Sequence, residues 1–321
     1  MILIYNGLPG SGKTTAALEW VAENPENRRR MSYDELRLSM FGPEWKFNRP
    51  DEYRMQAVAK QQVFEWAGCG YDVVIDNTNL TEKARQVWKD LAKICGVPLE
   101  EEDFAPPVAL CVERDAQRKG KARVGRAVIE RMALFNGFID WDDPDIYEQD
   151  RRFIIVDMDG TLADCSARRL RLGPHIIHNA GCTFGGHTIE GQPCPQCAAA
   201  WKKNWDAFFE GVINDPPIRP IVNLVEHLSS TFDIIVVSGR SIDQCGKGTE
   251  AWLQQHLDAD VTHLFMRNGG DSRPDYIVKQ EILDLLPKER IAYVIDDRPQ
   301  VMRMWQANGL TTLAVGDLKE F

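Results

Sequence analysis

The sequence predicts an α/β fold with two domains, each built on a parallel sheet that helices cover. Short apolar runs alternate with helical patterns along the chain, as they do in such sheets. The length of 321 residues is enough for two domains of ordinary size. An acidic stretch rich in Asp and Pro, residues 141–150, interrupts the alternation. We therefore expect a first domain at residues 1–145 and a second at residues 151–321.

The first half of the chain contains two strand patterns and two helix patterns. Residues 2–5 and 72–75 are short apolar runs, which are typical of buried strands. Residues 14–22 and 82–95 carry apolar side chains at helical spacing. The order strand, helix, strand, helix favours a parallel sheet.

The second half contains three further apolar runs, at residues 153–156, 234–237 and 291–295. Each of them leads directly into a polar motif at its C-terminal end. Because open α/β sheets place their sites at the carboxyl ends of the strands, we expect the three motifs to form one site.

Charge and hydropathy narrow the class of protein. No apolar run reaches the length of about 20 residues that a membrane helix needs, and no basic segment precedes the first apolar run. We therefore expect a cytoplasmic protein. The net charge of −10 argues against bulk, nonspecific binding of nucleic acid. An enzyme that binds only the end of a nucleic-acid strand needs no more than a local basic groove. The candidates for such a groove are residues 28–30 and the segment from Arg114 to Arg131.

A glycine-rich loop lies between the first predicted strand and the first predicted helix. Its backbone N–H groups and the helix N-terminus suit an anionic phosphate. Lys13 can reach the β- and γ-phosphates of ATP, and the Thr14 hydroxyl can ligate Mg²⁺. A glycine-rich turn without a ligand is the alternative. The residues expected to bind ATP in this P-loop are Gly7, Gly10, Ser11, Gly12, Lys13, Thr14 and Thr15.

Two further segments of the first half suit phosphoryl transfer. Asp34 and Arg37 lie one helical turn apart, so that the carboxylate can take a proton from an acceptor hydroxyl while the guanidinium holds a neighbouring phosphate. A surface ion pair is the alternative. Residues 114–123 are dense in cations around a glycine, which is typical of a lid over a triphosphate. A solvated basic helix is the alternative there.

The polar motifs of the second half occur in a characteristic order. An Asp-x-Asp-Gly-Thr motif comes first, then a serine, then a lysine on a predicted helix, and then two adjacent acids. This order resembles the haloacid-dehalogenase (HAD) phosphatases and implies their Rossmann-like sheet. A coincidental Asp-x-Asp turn is the alternative. The residues concerned are Asp157, Asp159, Ser238, Lys279, Asp296 and Asp297.

The chemistry of such a phosphatase explains these residue types. Asp157 would be the nucleophile that forms an acyl phosphate. Asp159 would protonate the leaving oxygen and then activate water. Ser238 and Lys279 would hold the phosphoryl oxygens. Mg²⁺, which prefers oxygen ligands, is expected between Asp157, Asp159 through its carbonyl oxygen, and Asp296 or Asp297.

The order of the two motif sets resembles the T-even phage family of polynucleotide 5′-kinase/3′-phosphatases, over nearly all of the chain except residues 165–210. The resemblance implies that Asp34 is the general base, that Arg37 engages the phosphate of the acceptor, and that Arg118, with Arg114 beside it, contacts the donor phosphates. Where the family has Asp-Thr-Asn, this chain has Asn-Thr-Asn at residues 77–79. The role of the family's aspartate is therefore either taken by Asp76 or absent. The resemblance also assigns to the phosphatase pocket Arg240, Arg267, Asp275 and Arg298.

The stretch outside the resemblance is expected to be a cap over the second site, at about residues 165–210, and it contains a candidate zinc site. Two cysteines have the Cys-x-x-Cys spacing of zinc knuckles. A metal would order a segment too small to bury much apolar surface. The alternative is a reduced, flexible loop with incidental thiols. The expected zinc ligands are Cys182, Cys194, Cys197 and either His187 or His178.

Together these patterns predict an enzyme that heals nucleic-acid ends. It would phosphorylate 5′-OH ends of DNA or RNA with ATP, and remove 3′-phosphates, including 2′,3′-cyclic ones, with Mg²⁺. The resemblance implies a later ligase step, a homo-oligomer and, for a phage-encoded chain, the host cytoplasm. The first alternative is a small-molecule or nucleotide kinase fused to a metabolite phosphatase. The second is a nucleotide-dependent switch that docks partner proteins through the cap without turnover.

Overall fold

The computed structural model describes residues 1–148, 150–172, 174–176 and 201–316. Contacts divide the chain into two units. The first unit comprises Met1–Gly125 and Met132–Ile139, and the second comprises Arg126–Arg131 and Asp140–Phe321. Residues 140–145 group with the second unit by these contacts. The reason is that the indole of Trp141 packs against rings of the second unit.

The first unit is a parallel sheet with helices on both faces. Its strands are β1 (Ile2–Gly7), β2 (Arg28–Met31), β3 (Asp72–Asp76) and β4 (Leu99–Phe104). Its helices are α1 (Lys13–Glu23), α2 (Tyr33–Phe41), α3 (Arg49–Gly68), α4 (Glu82–Cys95), α5 (Val108–Ala116) and the second part of α6 (Arg126–Phe135). A 3₁₀ turn covers Gly120–Ala122.

The strand order β2-β3-β1-β4 is parallel throughout. Alternate side chains of β1 enter two separate cores, with Ile2 and Ile4 on one face and Leu3 and Tyr5 on the other. Three consecutive glutamates on β4 are exposed, as suits an edge strand that must not pair with another chain. This order brings the carboxyl ends of β1, β2 and β3 together.

The second unit is a second parallel sheet, with a small antiparallel pair beside it. Its strands are β5 (Arg152–Val156), β6 (Pro174–Ile176), β7 (Trp201–Lys203), β8 (Phe232–Ser241), β9 (Val261–Arg267), β10 (Ile291–Asp296) and β11 (Thr312–Ala314). Its helices are α7 (Ser166–Arg169), α8 (Trp205–Phe209), α9 (Arg219–Leu228), α10 (Ile242–His256), α11 (Asp275–Leu283) and α12 (Pro299–Ala307). Further 3₁₀ turns cover Leu170–Leu172, Val212–Asn214 and Lys288–Arg290.

The large sheet of the second unit has the order β11-β10-β5-β8-β9, and β6 pairs with β7 separately. The central strand β5 is buried from Phe153 to Val156, and Trp252 and Trp305 are fully buried in the helices that cover the sheet. Since β10 and β8 flank β5, the motifs that follow these three strands meet at one edge of the sheet.

The α/β class with two parallel sheets is confirmed, and every strand and helix predicted above is present. One expectation is wrong, because residues 28–30 do not form a basic groove. They form β2, where the Arg28 and Arg29 guanidinium groups lie over the rings of Trp20 and Tyr71. Arg30 pairs with carboxylates of the same unit. In the described part of the chain, no helix has the length and apolarity that a membrane crossing requires.

Candidate active sites

The P-loop of the first unit has a backbone path that requires glycine. Gly10 has a φ of +83°, and a Cβ atom there would lie 2.4 Å from the carbonyl oxygen of Cys111. A Cβ atom on Gly7 would lie 2.4 Å from the carbonyl oxygen of Phe104. Gly12, with a φ of +105°, is the N-cap residue of α1. Glycine at these positions therefore lets the loop follow this backbone path without a clash or strain.

Lys13 folds its amine back onto the loop. The Nζ atom donates to the carbonyl oxygens of Gly7 (2.8 Å) and Leu8 (2.7 Å), and lies 3.1 Å from the hydroxyl of the buried Ser11. Burial lowers the pKa of Lys13 to about 8, although the nearby Asp76 opposes the shift. An anionic phosphate in the loop would stabilise the charged amine, since it would replace neutral carbonyl partners with a negative charge.

The hydroxyl of Thr14 faces an acidic partner at the end of β3. It donates to Asp76 Oδ1 at 3.2 Å, and Arg30 Nε donates to Asp76 Oδ2 at 2.8 Å. A hydroxyl beside a buried carboxylate is an oxygen donor set that fits Mg²⁺. The sequence left open whether Asp76 supplies the acidic group, and the structure places it next to Thr14. Thr15 is exposed on α1.

Asp34 and Arg37 form the ion pair that their spacing allows, with Arg37 Nη1 at 2.7 Å from Asp34 Oδ1. Arg37 is also held by Glu52 of α3, through Nε at 2.9 Å and Nη2 at 2.7 Å. These hydrogen bonds lower the pKa of Glu52. The backbone N–H of Tyr33 donates to Asn77 Oδ1 at 2.9 Å, which ties the start of α2 to the end of β3. Sequence reasoning missed Glu52, because it lies in a different helix.

The two predicted lid arginines lie near the P-loop. Arg114 Nη1 is 3.5 Å from the carbonyl oxygen of Gly10, at the limit of a hydrogen bond. Arg118 pairs with the buried Asp115 at 3.6 Å and is partly exposed. Burial is the main cause of the lowered pKa of Lys13, and the positive charge of Arg118 lowers it further. Arg114 is thus close enough to the loop to act on a bound phosphate, and the charge of Arg118 acts on Lys13.

The second site is centred on a buried lysine among carboxylates. Lys279 Nζ lies 2.6 Å from Asp157, 2.9 Å from Asp296 and 3.7 Å from Asp275. Burial alone would lower the pKa of Lys279, but these carboxylates raise it. Asp157 follows β5 and Asp296 ends β10, so the neighbouring strands bring the motif acids together as the sequence predicts.

Three carboxylates of this site have the geometry of a metal site. Oxygen atoms of Asp157, Asp296 and Asp297 lie within 4.8 Å of one another. Asp297 Oδ1 is buried and has no hydrogen-bond partner among the described residues. Burial and the charge of Asp296 raise the pKa of Asp297 to about 6, and burial raises the pKa of Asp157 well above its usual value. A divalent cation fits here, because it would supply the missing partner and offset the repulsion.

Asp159 is held by two arginines. Arg240 donates to Asp159 Oδ1 through Nε (3.1 Å) and Nη2 (2.7 Å), and Arg168 Nη2 donates to the same oxygen at 2.6 Å. Burial alone would raise the pKa of Asp159, but Arg240 and Arg168 hold it below its usual value. The carboxylate is therefore ionised in this state.

Asp215 completes this buried cluster. It accepts from Arg168 Nε at 2.7 and 2.9 Å and from Arg240 Nη2 at 3.0 Å. Sequence reasoning missed Arg168 and Asp215. Arg168 lies in the stretch outside the resemblance, and Asp215 lies in an irregular segment before α9, so no motif marks either of them.

A cavity of about 390 Å³ is lined by Asp157 and Asp159. Ser238 in its wall accepts a hydrogen bond from the backbone N–H of Arg240, so its hydroxyl proton is available to a ligand. Arg267 and Arg298 pair with Asp275 at 3.2 and 3.0 Å. Of the four pocket residues that the resemblance implied, Arg267, Asp275 and Arg298 line the cavity, and Arg240 is buried behind it.

The expected zinc ligands Cys182, His187, Cys194 and Cys197, together with the alternative His178, lie outside the described residues.

Comparisons with known proteins agree with both halves of the chain. Residues 2–135 match the family described as AAA domain, and residues 202–319 match the family described as polynucleotide kinase PNKP phosphatase domain. The chain joins a P-loop kinase domain to a HAD-type phosphatase domain. Asp157 precedes the range matched by the phosphatase family, but its ion pair with Lys279 places it in the same site. The predicted pairing of the two domain types is confirmed.

Individual relatives are more distant. A protein described as a bifunctional polynucleotide kinase/RNA ligase, of Autographa californica nuclear polyhedrosis virus, is 23% identical over an alignment of 325 positions that covers 95% of this chain and 41% of the relative. This chain thus spans about two fifths of the length of that relative.

Two solved structures illustrate the structural similarities. A chain of the Pnkp1/Rnl/Hen1 RNA repair complex is 21% identical, with a TM-score of 0.37 over 98% of this chain and 96% of that one. A haloacid dehalogenase-like hydrolase from Streptococcus pneumoniae is 17% identical, with a TM-score of 0.35 over 51% of this chain and 84% of that one.

Proposed function

We propose that this chain heals nucleic-acid ends, by ATP-dependent phosphorylation of 5′-OH ends and Mg²⁺-dependent hydrolysis of 3′-phosphates on DNA or RNA. One observation carries the proposal. The cavity that Asp157 lines, with its buried partner Lys279, is built largely from residues matched by a polynucleotide kinase phosphatase family, on a chain that also has a complete P-loop.

At the kinase site, Asp34 takes the proton of the 5′-hydroxyl as the oxygen attacks the γ-phosphorus of ATP. The bond to the β–γ bridging oxygen breaks, and ADP leaves with that oxygen. Lys13 and Arg118 offset charge on the transferring group. Arg37, held by Glu52, orients a phosphate of the acceptor strand. Mg²⁺, which Thr14 and Asp76 would hold, neutralises the ATP phosphates when bound.

At the phosphatase site, an Asp157 oxygen attacks the phosphorus and the bond to the sugar 3′-oxygen breaks. Protonated Asp159 gives its proton to that oxygen, and an aspartyl phosphate remains. Water then attacks this intermediate, gives its proton to Asp159 and releases inorganic phosphate. Ser238 and Lys279 hold the phosphoryl oxygens. Mg²⁺, which Asp157, Asp296 and Asp297 would hold, offsets negative charge when bound. A ligand role for the Asp159 carbonyl stays a prediction.

The proton state of Asp159 fits the second half of this cycle directly. Arg240 and Arg168 keep the carboxylate ionised, and an ionised carboxylate can accept the proton of the attacking water. For the first half, Asp159 must be protonated. We infer that the negative charge of the substrate phosphate, bound in the cavity that Asp159 lines, raises the pKa of Asp159.

Several finer expectations stay predictions. They are the cleavage of 2′,3′-cyclic phosphates, a structural zinc in the cap, a homo-oligomer, a ligase that acts on the products, a cytoplasmic location and domain boundaries at residues 145 and 151.

The test uses one oligonucleotide with a 5′-OH and a 3′-phosphate, incubated with ATP and Mg²⁺, with both ends scored. Lys13→Ala should lose only the 5′ reaction, and Asp157→Asn only the 3′ reaction. Lys83→Ala and Asp258→Asn, which change exposed residues of the same charge in the same units, should keep both. If the wild type leaves both ends intact but turns over ATP or small phosphate esters, the metabolite alternative replaces this proposal.

A further inference from the structure

One wall of the phosphatase cavity is aromatic. Three rings of α8, those of Trp205, Phe208 and Phe209, line the same cavity as Asp157 and Ser238. We call these three rings the aromatic wall. A phosphate needs only the charged end of this cavity. A volume of about 390 Å³ lies within the range of about 300–1,000 Å³ for pockets that enclose a whole small molecule.

The aromatic wall has a fixed geometry. The rings of Trp205 and Phe209 are stacked at 6.0 Å with 23° between their planes, and Phe208 meets Trp205 edge-on at 5.7 Å. Phe208 and Phe209 are buried, but Trp205 is 46% exposed. Two buried rings thus support one ring that reaches the solvent.

The wall is tied directly to the catalytic groups. Arg168 Nη1 donates to the carbonyl oxygen of Phe208 at 2.6 Å, and its guanidinium carbon lies 4.5 Å from the centre of that ring. The same guanidinium donates to Asp159 at 2.6 Å. The side chain of Asn204 caps α8 through the N–H of Ala207 at 3.1 Å. These contacts hold the rings at a constant position relative to Asp159.

We propose that the aromatic wall, with Trp205 as its contact residue, stacks on the terminal nucleobase of the strand whose 3′-phosphate is removed. The inference rests on the proposed function of this site. A 3′-phosphate bound at Asp157 brings its own sugar and base into the rest of the cavity. A flat π-system is the surface that any nucleobase can stack on, so the wall recognises the end of a strand without reading its sequence.

The test compares two oligonucleotides with 3′-phosphates, one with an intact terminal nucleoside and one with an abasic terminal sugar. Stacking on an aromatic side chain corresponds to about a 5- to 140-fold change in affinity. For the wild type, we expect the KM of the abasic substrate to be higher by a factor in this range. Trp205→Ala should raise the KM of the intact substrate to the abasic value and leave kcat within about twofold. Trp205→Phe should retain most of the preference.

Leu170→Ala is the control, because it removes an apolar side chain that is 85% exposed in a neighbouring turn, and it should keep the preference of the wild type. Equal KM values of the wild type for both oligonucleotides would overturn the inference while the proposed function stands. A fall in kcat of Trp205→Ala on both substrates alike, with the preference kept, would show a structural role and also overturn it. Failure of the wild type on both oligonucleotides would remove the proposed function itself.

Discussion

Replacing Asp215 with asparagine should destabilise the second unit without touching the nucleophile. Asp215 shares the guanidinium groups of Arg168 and Arg240 with Asp159, and all of these side chains are at least four-fifths buried. Asp215→Asn leaves two buried cations with one carboxylate, and turns an amide N–H₂ toward them. Breaking a buried ion pair from one side costs about 3–5 kcal/mol, and each 1.36 kcal/mol is a factor of about ten in an equilibrium. Local opening should therefore increase by a factor of roughly 10² to 10³ or more.

Hydrogen exchange measured by mass spectrometry can follow each unit separately on the intact chain. Peptides from β5 and β8 of Asp215→Asn should lose protection by this factor, and peptides from β1 and β3 should not change. Asp284→Asn is the control in the same unit, because the Asp284 side chain is 54% exposed in its pair with Lys288 and such pairs contribute about 0–1 kcal/mol. If exchange of β5 and β8 changes less than about threefold, the reasoning about this cluster is wrong.

Three further predictions concern individual contacts. Glu52→Gln should raise the kinase KM for a 5′-OH oligonucleotide about tenfold, because Arg37 loses a charged partner, and leave phosphatase kinetics unchanged. Gly10→Ala should weaken ATP binding in calorimetry by roughly tenfold or more, whereas Gly70→Ala, at a similar φ but with no atom within 4 Å, should not. Asp297→Asn should raise the Mg²⁺ concentration for half-maximal phosphatase activity about tenfold or more, and an unchanged Mg²⁺ titration would contradict the metal site.

Helices and strands are predicted best from the sequence where local signals, such as capping residues, agree with the tertiary contacts. The predicted helix at residues 82–95 matches α4 at both ends, because Thr81 caps its first turn and Gly96 ends it with a φ of +64°. Residues 28–30 show the opposite case. Three adjacent arginines suggest a basic surface, but Trp20 and Tyr71 cover two of them, and these partners come from other parts of the chain.

The same distinction applies to the sites. The residues of the P-loop and the acids after β5 and β10 could be predicted, because each lies directly after a strand and parallel strands gather their carboxyl ends. Arg168, Asp215 and Glu52 could not, since none belongs to a motif and each acts through a partner from a distant segment. Their role is to position or neutralise another side chain, and that role is defined only by the fold.

The charge balance of the phosphatase site gives a further reason to expect a divalent cation there. Within the described residues, the ion pairs that connect its motif acids join six carboxylates to six cationic side chains, so that the formal charges of this set cancel before any ligand arrives. The carboxylates are Asp157, Asp159, Asp215, Asp275, Asp296 and Asp297, and the cations are Arg168, Arg169, Arg240, Arg267, Lys279 and Arg298. A phosphate ester that enters as a dianion leaves two negative charges unbalanced in a largely buried space. One Mg²⁺ beside Asp297 restores the balance, so metal and substrate should each favour the binding of the other.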